Sequence, residues 1–146
     1  MKLSTRGCYG LRAMVELARH YGGGPLLMRA ISEKHGISRK YLHALLTNLK
    51  AASLVRSIRG AGGGYVLARA PADIKVSEVI RVLEGSLSPA ECVEDHSLCE
   101  RSDECVALSL WARVNMAIEK VLANISLADM LREEAERKPA PATYDI

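Results

Sequence analysis

Apolar residues recur three and four positions apart in three stretches near the start of the chain. This period is typical of amphipathic helices, and the predicted helices cover about residues 5–20, 27–35 and 39–51. Thr5 is expected to cap the first helix and Ser38 the third, since each has a short side-chain oxygen where the pattern begins. A turn containing Gly36 separates the second and third helices, and this arrangement predicts a helix-turn-helix.

Residues 54–68 change to a period of two, which is typical of strands. Two alternating segments, 54–59 and 65–68, flank the glycine-rich sequence 60–64, so they predict a β-hairpin. A hairpin after a helix-turn-helix is the layout of a winged helix, in which the hairpin is the wing. The alternative is a phosphate-binding loop. It is disfavoured because a predicted strand follows the glycines, where such loops need a helix or a Lys-Ser/Thr pair.

The second half of the chain returns to helical spacing around one aperiodic segment. It predicts a short helix at about 77–84, a long helix at about 105–123 and a last helix at about 127–136. Ser126 and Asp129 form a predicted capping box before the last helix. The fold class is therefore mainly α with a small β-hairpin wing. The expected regions are the winged helix-turn-helix over 1–70, a connecting helix over 71–85, a cysteine-containing loop over 86–105, the last two helices over 106–136 and a disordered tail over 137–146.

The charges of the 146 residues are unevenly distributed, although 20 Lys and Arg nearly balance 17 Asp and Glu. Residues 1–70 hold twelve basic and two acidic side chains, a net charge of +10, whereas residues 71–146 hold eight basic and fifteen acidic side chains, a net charge of −7. A basic half of this strength is typical of a surface that binds a polyanion such as DNA. The alternatives are two lobes that attract each other, or a winged helix that binds protein.

The third predicted helix has a cationic face opposite its leucine-rich face. In a winged helix this helix enters the major groove, where Arg39, Lys40 and His43 can reach base edges. Arg59 of the wing is expected to enter a narrow minor groove, and Gly60 lets the tip approach the sugar–phosphate backbone. The predicted contacts to double-stranded DNA are Ser38, Arg39, Lys40, Tyr41, His43, Arg59 and Gly60.

Three cysteines, Cys92, Cys99 and Cys105, lie in the aperiodic segment. Thiolates on one flexible loop can converge on a single metal centre, and soft sulfur ligands suit zinc or an iron–sulfur cluster. Nearby acidic residues disfavour free thiolates, and zinc usually takes cysteine pairs that are closer in sequence, so the pattern favours a cluster. The alternatives are three incidental thiols, or a switch based on thiol chemistry or zinc.

The spacing does not identify a fourth ligand. His96 lies within the loop, where carboxylates are also available, and Cys8 lies far away in the first helix. Because Cys8 shares the helical phase of Leu11 and Val15, it is either a core thiol or a ligand that the first helix supplies, including the first helix of a partner subunit.

Several classes of protein are not expected from this sequence. No nucleophile–base pair is recognisable, which disfavours an enzyme. No apolar run is long enough for a membrane helix, and no basic-then-apolar leader opens the chain, so a cytoplasmic protein is expected. Four cysteines in that setting predict metal ligands rather than disulfides. An electron-transfer or cluster-carrier protein is the alternative from another class, but it leaves the basic half unexplained.

A set of short motifs resembles a known family over residues 1–130. The motifs are Ile37-Ser38, Tyr41-Leu42, the wing sequence Arg59-Gly60-Ala61-Gly62-Gly63-Gly64-Tyr65, and three cysteines ahead of Leu110-Trp111. They resemble the winged helix-turn-helix iron–sulfur transcription regulators that include IscR and NsrR (the Rrf-two family), with a pattern most like the IscR-like regulators of cluster biogenesis. The resemblance implies a cytoplasmic homodimer in which the long helix crosses its partner on a pseudo-palindromic operator.

The resemblance also implies a repressor whose DNA affinity depends on an iron–sulfur cluster, 2Fe–2S in preference to 4Fe–4S, held by the three loop cysteines. Control of cluster-biogenesis genes is the expected function; relatives that sense nitric oxide, iron or redox state are the alternative. The chain departs from the IscR-like pattern at two positions. Leu108 replaces a histidine ligand, and His43 replaces an acidic residue tied to the choice between DNA site classes. Cys8 falls near the position from which some nitric-oxide-sensing relatives supply a ligand to the other subunit.

Overall fold

The computed structural model describes residues 2–137, and the predicted disordered tail lies outside this range except for its first residue. The α-helices of the described residues are α1 Thr5–Arg19, α2 Met28–His35, α3 Arg39–Ala51, α4 Val76–Glu84, α5 Glu91–Glu94, α6 Val106–Ala123 and α7 Leu127–Arg137. The strands β1 Val55–Ile58 and β2 Gly64–Leu67 pair as an antiparallel hairpin. Single turns of 3₁₀ helix cover Pro71–Asp73, His96–Leu98 and Ser102–Glu104. The predicted helical fold with a hairpin after a helix-turn-helix is confirmed.

The core is formed by the winged helix together with α4 and α7. The spacing of the leucines in α3 places all four on one face, where they are at most 2% exposed. They pack in one cluster with apolar side chains from the neighbouring helices and from the wing. The largest fully buried members are Met14, Ile31, Leu42, Leu45, Leu46, Leu49, Ile74, Leu127, Val55 and Val79. The position of the recognition helix is therefore fixed by its buried face.

The wing is held against the loop that connects α1 and α2. Leu26 and Tyr65 exchange two backbone hydrogen bonds, of 2.9 and 2.8 Å, so the loop adds a bridge to the edge of β2. Gly64 has a φ of +150°, and a Cβ at this position would lie 2.5 Å from the carbonyl oxygen of Leu26. Only glycine fits this close approach, which explains why a glycine stands at position 64, where the wing tip joins β2.

The C-terminal helices attach to the rest of the chain through α7 and through backbone bonds near residues 74–76, and they leave a long apolar surface of α6 exposed. The amides of Val76 and Leu127 donate to the carbonyls of Ile125 (2.8 Å) and Ile74 (3.0 Å). The predicted capping box is confirmed, since Ser126 and Asp129 bond reciprocally to each other's backbone amides. In α6 the buried residue is Leu108, whereas the apolar residues exposed on this helix are Val106, Leu110, Trp111, Met116 and Val121. None of the helices in residues 2–137 is long and apolar enough to cross a membrane.

Two local predictions are wrong. Ser4, rather than Thr5, is the N-cap of α1, and its hydroxyl accepts a hydrogen bond of 3.2 Å from the amide of Arg6. The segment 86–104 is not a featureless loop, because it contains α5 and two turns of 3₁₀ helix. Elements of three or four residues form about one helical turn, whereas a hydrophobic pattern must repeat over several turns to reveal a helix.

Candidate nucleic-acid interface and cysteine loop

The recognition helix α3 exposes its cationic face over its whole length. Ser38 caps its start, accepting a hydrogen bond of 3.2 Å from the amide of Tyr41. Arg39, Lys40 and His43, all predicted DNA contacts, are exposed on the first turns of the helix. Three donor side chains on the solvent side of a helix whose opposite face is buried can reach base edges or phosphates without moving the backbone.

Tyr41 has a role that sequence patterns did not reveal. Its hydroxyl lies 3.1 Å from Oγ1 of Thr5, and its ring meets the ring of Tyr9 edge-on at a centroid distance of 6.1 Å. These contacts join the start of α3 to the first turns of α1, and the side chain is only half-exposed. Tyr41 thus positions the recognition helix, whereas a contact between Tyr41 and DNA stays a prediction.

The tip of the wing presents Arg59 and Gly60 to solvent. Gly60 has a φ of +109°, and its carbonyl accepts a hydrogen bond of 3.0 Å from the amide of Gly63, which closes the turn. At Gly63 a Cβ would lie 2.2 Å from the carbonyl oxygen of Ile58, so a side chain is excluded there. The glycines therefore give a narrow tip that can approach a groove wall closely.

A cationic recess separates the wing from the end of the recognition helix. Nζ of Lys50 donates a hydrogen bond of 2.7 Å to Oγ of Ser57, which ties α3 to β1. The recess has a volume of about 550 Å³ and includes Arg56 and Arg59 in its lining. Sequence reasoning missed the Lys50–Ser57 contact, because six residues that include a turn lie between these positions, and neither the helical pattern nor the strand pattern extends across the turn.

The three cysteines of the loop lie on separate short turns. Cys92 belongs to α5 and is half-buried, Cys99 follows the turn His96–Leu98 and is exposed, and Cys105 is the half-buried N-cap of α6. All three are free thiols. Within residues 2–137 no three His, Cys, Asp or Glu side chains lie close enough together to hold one metal ion. The structure therefore places the predicted thiol ligands on one loop but does not bring them together.

The candidates for a fourth ligand differ in position. Cys8 is exposed on α1, so its interpretation as a core thiol is wrong. It lines a groove of about 530 Å³ between α1 and α7, together with Met130 and Arg137. His96 is exposed within the loop, and Leu108 is buried, so the residue at the position of the expected histidine faces the interior of the subunit.

Glu84 connects the base of the cysteine loop to the start of α1. One oxygen of its carboxylate, Oε1, accepts hydrogen bonds from the amide and hydroxyl of Ser4, both 2.7 Å, and from the amide of Gly7 at 3.0 Å. Desolvation raises the pKa of Glu84, but the bonds from Ser4 and Gly7 outweigh it and lower the pKa below its usual value. Since Gly85 follows immediately, the loop begins at a point that is fixed to α1.

Comparison with known proteins places these features in a family. The model of the family Rrf2, described as an iron-dependent transcriptional regulator, matches residues 3–133. The HTH-type transcriptional regulator CymR of Bacillus subtilis is 43% identical over 130 residues, covering 89% of each chain. The structure of T. potens IscR superposes with a TM-score of 0.80 at 45% identity, covering 97% of this chain and 94% of that one. The structure of CymR, the global cysteine regulator of B. subtilis, gives a TM-score of 0.77 at 41% identity and covers 91% of this chain and 98% of that one.

Proposed function

Because the chain belongs to the Rrf2 family of transcription regulators, we propose that it is a repressor whose DNA affinity is controlled by an iron–sulfur cluster on the loop 86–105. Regulators of this family bind DNA and act as dimers, and the homologues are transcription regulators rather than enzymes. The finer parts of the proposal are the DNA contacts, the cluster, the response and the target genes. The observation that carries it is one chain that joins an exposed cationic recognition helix to a loop with three free thiols.

The proposed DNA contacts use both sides of the cationic recess. The exposed side chains at the start of α3 read the major groove, and Arg59 with Gly60 enters the adjacent minor groove. The packing of Leu49 and Val55 in one buried cluster supports this arrangement, since it places the helix and the wing next to each other before DNA is bound, and the exposed Lys50–Ser57 hydrogen bond adds to it. Each subunit of a dimer presents one reading head, by which we mean α3 together with the wing. The two reading heads face two half-sites, so the proposed operator is pseudo-palindromic.

The proposed dimer forms through the exposed face of α6. Val106, Leu110 and Val121 lie on one side of α6 and form an apolar stripe, and their exposures of 86%, 50% and 56% are high for side chains of this size. A contiguous apolar surface on a long helix is typical of an interface. The helix begins at Cys105, so the interface and the cysteine loop are directly connected.

The donor set of the loop fits an iron–sulfur cluster in chemical terms, and Cys92, Cys99 and Cys105 would hold it. A bound cluster would supply one-electron redox chemistry and sensitivity to oxidants or nitric oxide. The fourth ligand remains a choice between Cys8, His96 and a carboxylate. The exposure of Cys8 on α1 supports it as a donor to a partner subunit, since a buried thiol would be inaccessible to another chain.

The loop reaches the reading head through residues of this chain. A cluster held by Cys92, Cys99 and Cys105 would constrain the turns between them and, through these turns, the base of the loop at Gly85. Glu84 carries that displacement to Ser4 and Gly7 at the start of α1. The same part of α1 contacts Tyr41 of the recognition helix through Thr5 and Tyr9. The state of the loop is thereby able to bias the orientation of α3.

Two sets of target genes are supported by different relatives. The similarity to IscR supports genes of iron–sulfur cluster biogenesis, with a 2Fe–2S cluster as the controlling group. The similarity to CymR, the global cysteine regulator of B. subtilis, supports a second candidate, a regulator of cysteine metabolism. In this candidate the loop thiols act without a cluster. The replacement of the expected histidine by Leu108 favours this second candidate, because it removes one ligand of the IscR-like pattern.

Anaerobic purification followed by an absorption spectrum and a count of iron and acid-labile sulfide decides between these candidates. About two irons and two sulfides per chain with visible absorption bands support the 2Fe–2S regulator. A colourless protein that resists reconstitution and retains free thiols supports the cluster-independent regulator and rejects the cluster. Binding to random-sequence duplex DNA at low and high salt is measured on the same sample, since it tests DNA binding independently of the loop.

The fourth ligand is tested with Cys8→Ser and His96→Ala in the same assay. The variant that removes a ligand loses at least half of the bound iron or shifts the visible bands, whereas the other retains the wild-type spectrum. Mixed dimers of Cys8→Ser and Cys99→Ser subunits show whether Cys8 acts across the interface. In that case one of the two sites retains all four ligands and the mixed dimer keeps about half of the iron.

A further inference from the structure

The carboxylate of Glu16 lies between α1 and α2 and is the only buried charged group among residues 2–137. Its Oε1 accepts a hydrogen bond of 2.8 Å from Nζ of Lys34, and its Oε2 lies 3.1 Å from Nε2 of His35. The guanidinium of Arg19 also donates to Oε2. Desolvation raises the pKa of Glu16, but the bonds from Lys34, His35 and Arg19 outweigh it and lower the pKa to about 2. The carboxylate is therefore ionised at neutral pH.

Arg19 extends this cluster to the C-terminal helix. Its second terminal nitrogen donates to both carboxylate oxygens of Glu134 on α7, at 2.7 and 2.6 Å. A guanidinium can bind two carboxylates at once because its donors form a rigid fork. Direct contacts thus run from Glu134 through Arg19 and Glu16 to Lys34 and His35, and they join three helices.

The last turn of α2 depends on these charged contacts. The buried residues of α2 are Ile31 and Ser32, near the middle of the helix, whereas Lys34 and His35 form its end. The recognition helix is capped at Ser38, only a few residues later. A hydrogen-bonded ion pair fixes direction as well as distance, which an apolar contact does not. The segment that leads into α3 is also anchored by Ile37, which is buried and whose carbonyl accepts a hydrogen bond of 2.5 Å from Oγ of Ser32. The contacts of Glu16 add a fixed direction for the last turn of α2 to that anchor.

The helix at the other end of the cluster belongs to the C-terminal region. α7 follows α6 after a short connection at 124–126, and its first turn is fixed by the bond between Leu127 and Ile74. Glu134 lies about two turns beyond that fixed point. α7 packs on the core through Leu127 and Leu131, and Glu134 lies one turn beyond Leu131. A change in the position of this part of α7 therefore moves Glu134 and, through their ion pair, the guanidinium of Arg19.

We propose that Glu134, Arg19 and Glu16 form a relay through which the placement of α7 sets the orientation of α2 and of the start of the recognition helix. Glu134 and Arg19 are in this sense positioning residues for DNA reading, although neither lies on the reading face. The functional half of the proposal rests on the proposed DNA binding; the structural half concerns α7 and α2 alone.

The structural half is tested on the full chain without DNA, by comparing backbone amide NMR spectra of Glu134→Gln and Glu133→Gln. Glu133 is the matched control, since it is the adjacent acidic residue and pairs with Arg137 within α7. We expect Glu134→Gln to shift the amide signals of residues 34–39, while Glu133→Gln shifts signals within α7 only. Unchanged signals at 34–39 in Glu134→Gln overturn the relay, provided that the unfolding curve shows a folded protein.

The functional half is tested by a double-mutant cycle on DNA affinity with Glu134→Gln and Lys34→Gln. The probe is a duplex selected by the wild-type protein from a random-sequence library. These two side chains do not contact each other, so without the relay their effects on the dissociation constant are additive. We expect the relay to couple them, with a deviation from additivity of about threefold or more. Additive effects overturn the functional half. If the wild-type protein selects no duplex, the proposed DNA binding fails, and the amide spectra still decide the structural half.

Discussion

The winged helix differs from the cysteine region, which is the loop 86–105 together with α6. The comparison concerns how many of the apolar side chains in each region are buried within one subunit. α3 buries four leucines, whereas the longer α6 buries Leu108 and exposes most of its apolar side chains. The core of one subunit thus stabilises the reading head and sets the position of α3 relative to the wing. The cysteine region keeps its thiols and its apolar stripe accessible, so ligand binding or assembly can change it without disrupting the core.

Leu46→Ala is expected to give the largest effect on the fold. Leu46 is fully buried, so its loss removes apolar burial and leaves a cavity, and the free energy of unfolding falls by about 2–5 kcal/mol. Met116→Ala on α6 removes a side chain that is 68% exposed and changes the same free energy by about 0.5 kcal/mol or less. Urea unfolding of both variants measures the contrast. Equal losses of stability would contradict the conclusion that the core of one subunit stabilises the reading head but leaves this face of α6 exposed.

Leu110→Ala is expected to weaken the dimer, by about tenfold in the dissociation constant, if the exposed stripe of α6 is the interface. Sedimentation equilibrium measures this constant. Lys120→Ala, an exposed charged position on the same helix, is the control and leaves it unchanged.

Glu16→Gln tests the buried ionised group of the reading head. A carboxyl whose pKa falls from 4.5 to about 2 on folding contributes stability that is fully present above pH 5 and is lost as the pH falls towards 2. We therefore expect a loss of up to about 3 kcal/mol at pH 7 that shrinks progressively below pH 5. Urea unfolding at pH 7, 5 and 3 measures it. Glu33→Gln, at an exposed carboxylate paired within α2, shows no comparable loss.

Arg59→Ala tests the wing as a minor-groove contact. Removal of this guanidinium is expected to weaken DNA binding by about 1–3 kcal/mol and to reduce the dependence of log affinity on log salt by about one unit. Fluorescence anisotropy across a salt series gives both values. Arg101→Ala removes the same charge from the cysteine loop and serves as the control. An Arg59→Ala protein with the wild-type affinity and salt slope would remove the wing from the proposed interface.

The fold was predictable because most of its elements are long enough to show their period. The three helices of the winged helix, the long α6 and the hairpin were all expected from spacing alone, and the Ser126–Asp129 box was predicted from two residues. The elements that were missed, such as α5, form only about one turn, so their spacing does not repeat. The N-cap of α1 was misplaced because Ser4 and Thr5 are both suitable caps, and Glu84, distant in sequence, helps decide between them.

The candidate site was predictable in type and not in geometry. Residue chemistry identified an exposed cationic helix, a wing and a set of thiols, and each is present where it was expected. The contacts that connect them join positions far apart in sequence, such as Tyr41 with Thr5, Lys50 with Ser57, and Arg19 with Glu134. No local pattern contains these pairs. Cys8 was misjudged as a possible core thiol because the helical phase shows which residues share a face of α1, but not whether another element covers that face.

Gly7→Ala tests the link between the two regions. A Cβ at this position would lie 2.5 Å from Oε1 of Glu84, so the carboxylate must move away from the start of α1. We expect a loss of about 1 kcal/mol in the free energy of unfolding, because the displaced carboxylate loses its hydrogen bonds from Ser4 and Gly7 while alanine favours the helix. Gly62→Ala is the matched control, because no atom lies within 4 Å of a Cβ there. If the two variants are equally stable, Glu84 does not fix the base of the loop.

Cys99→Ser is expected to have the smallest effect on the fold and the most selective effect on function. Cys99 is exposed and its side chain has no place in the core, so the free energy of unfolding of the metal-free protein changes by about 0.5 kcal/mol or less. If Cys99 is a ligand, the variant loses the iron that the wild type binds under anaerobic conditions, and its DNA affinity becomes that of the metal-free wild type. Ser97→Ala, two residues away on the same loop, retains both. A Cys99→Ser protein that keeps the iron and the wild-type response would show that the loop thiols are not the controlling group, even though the reading head remains intact.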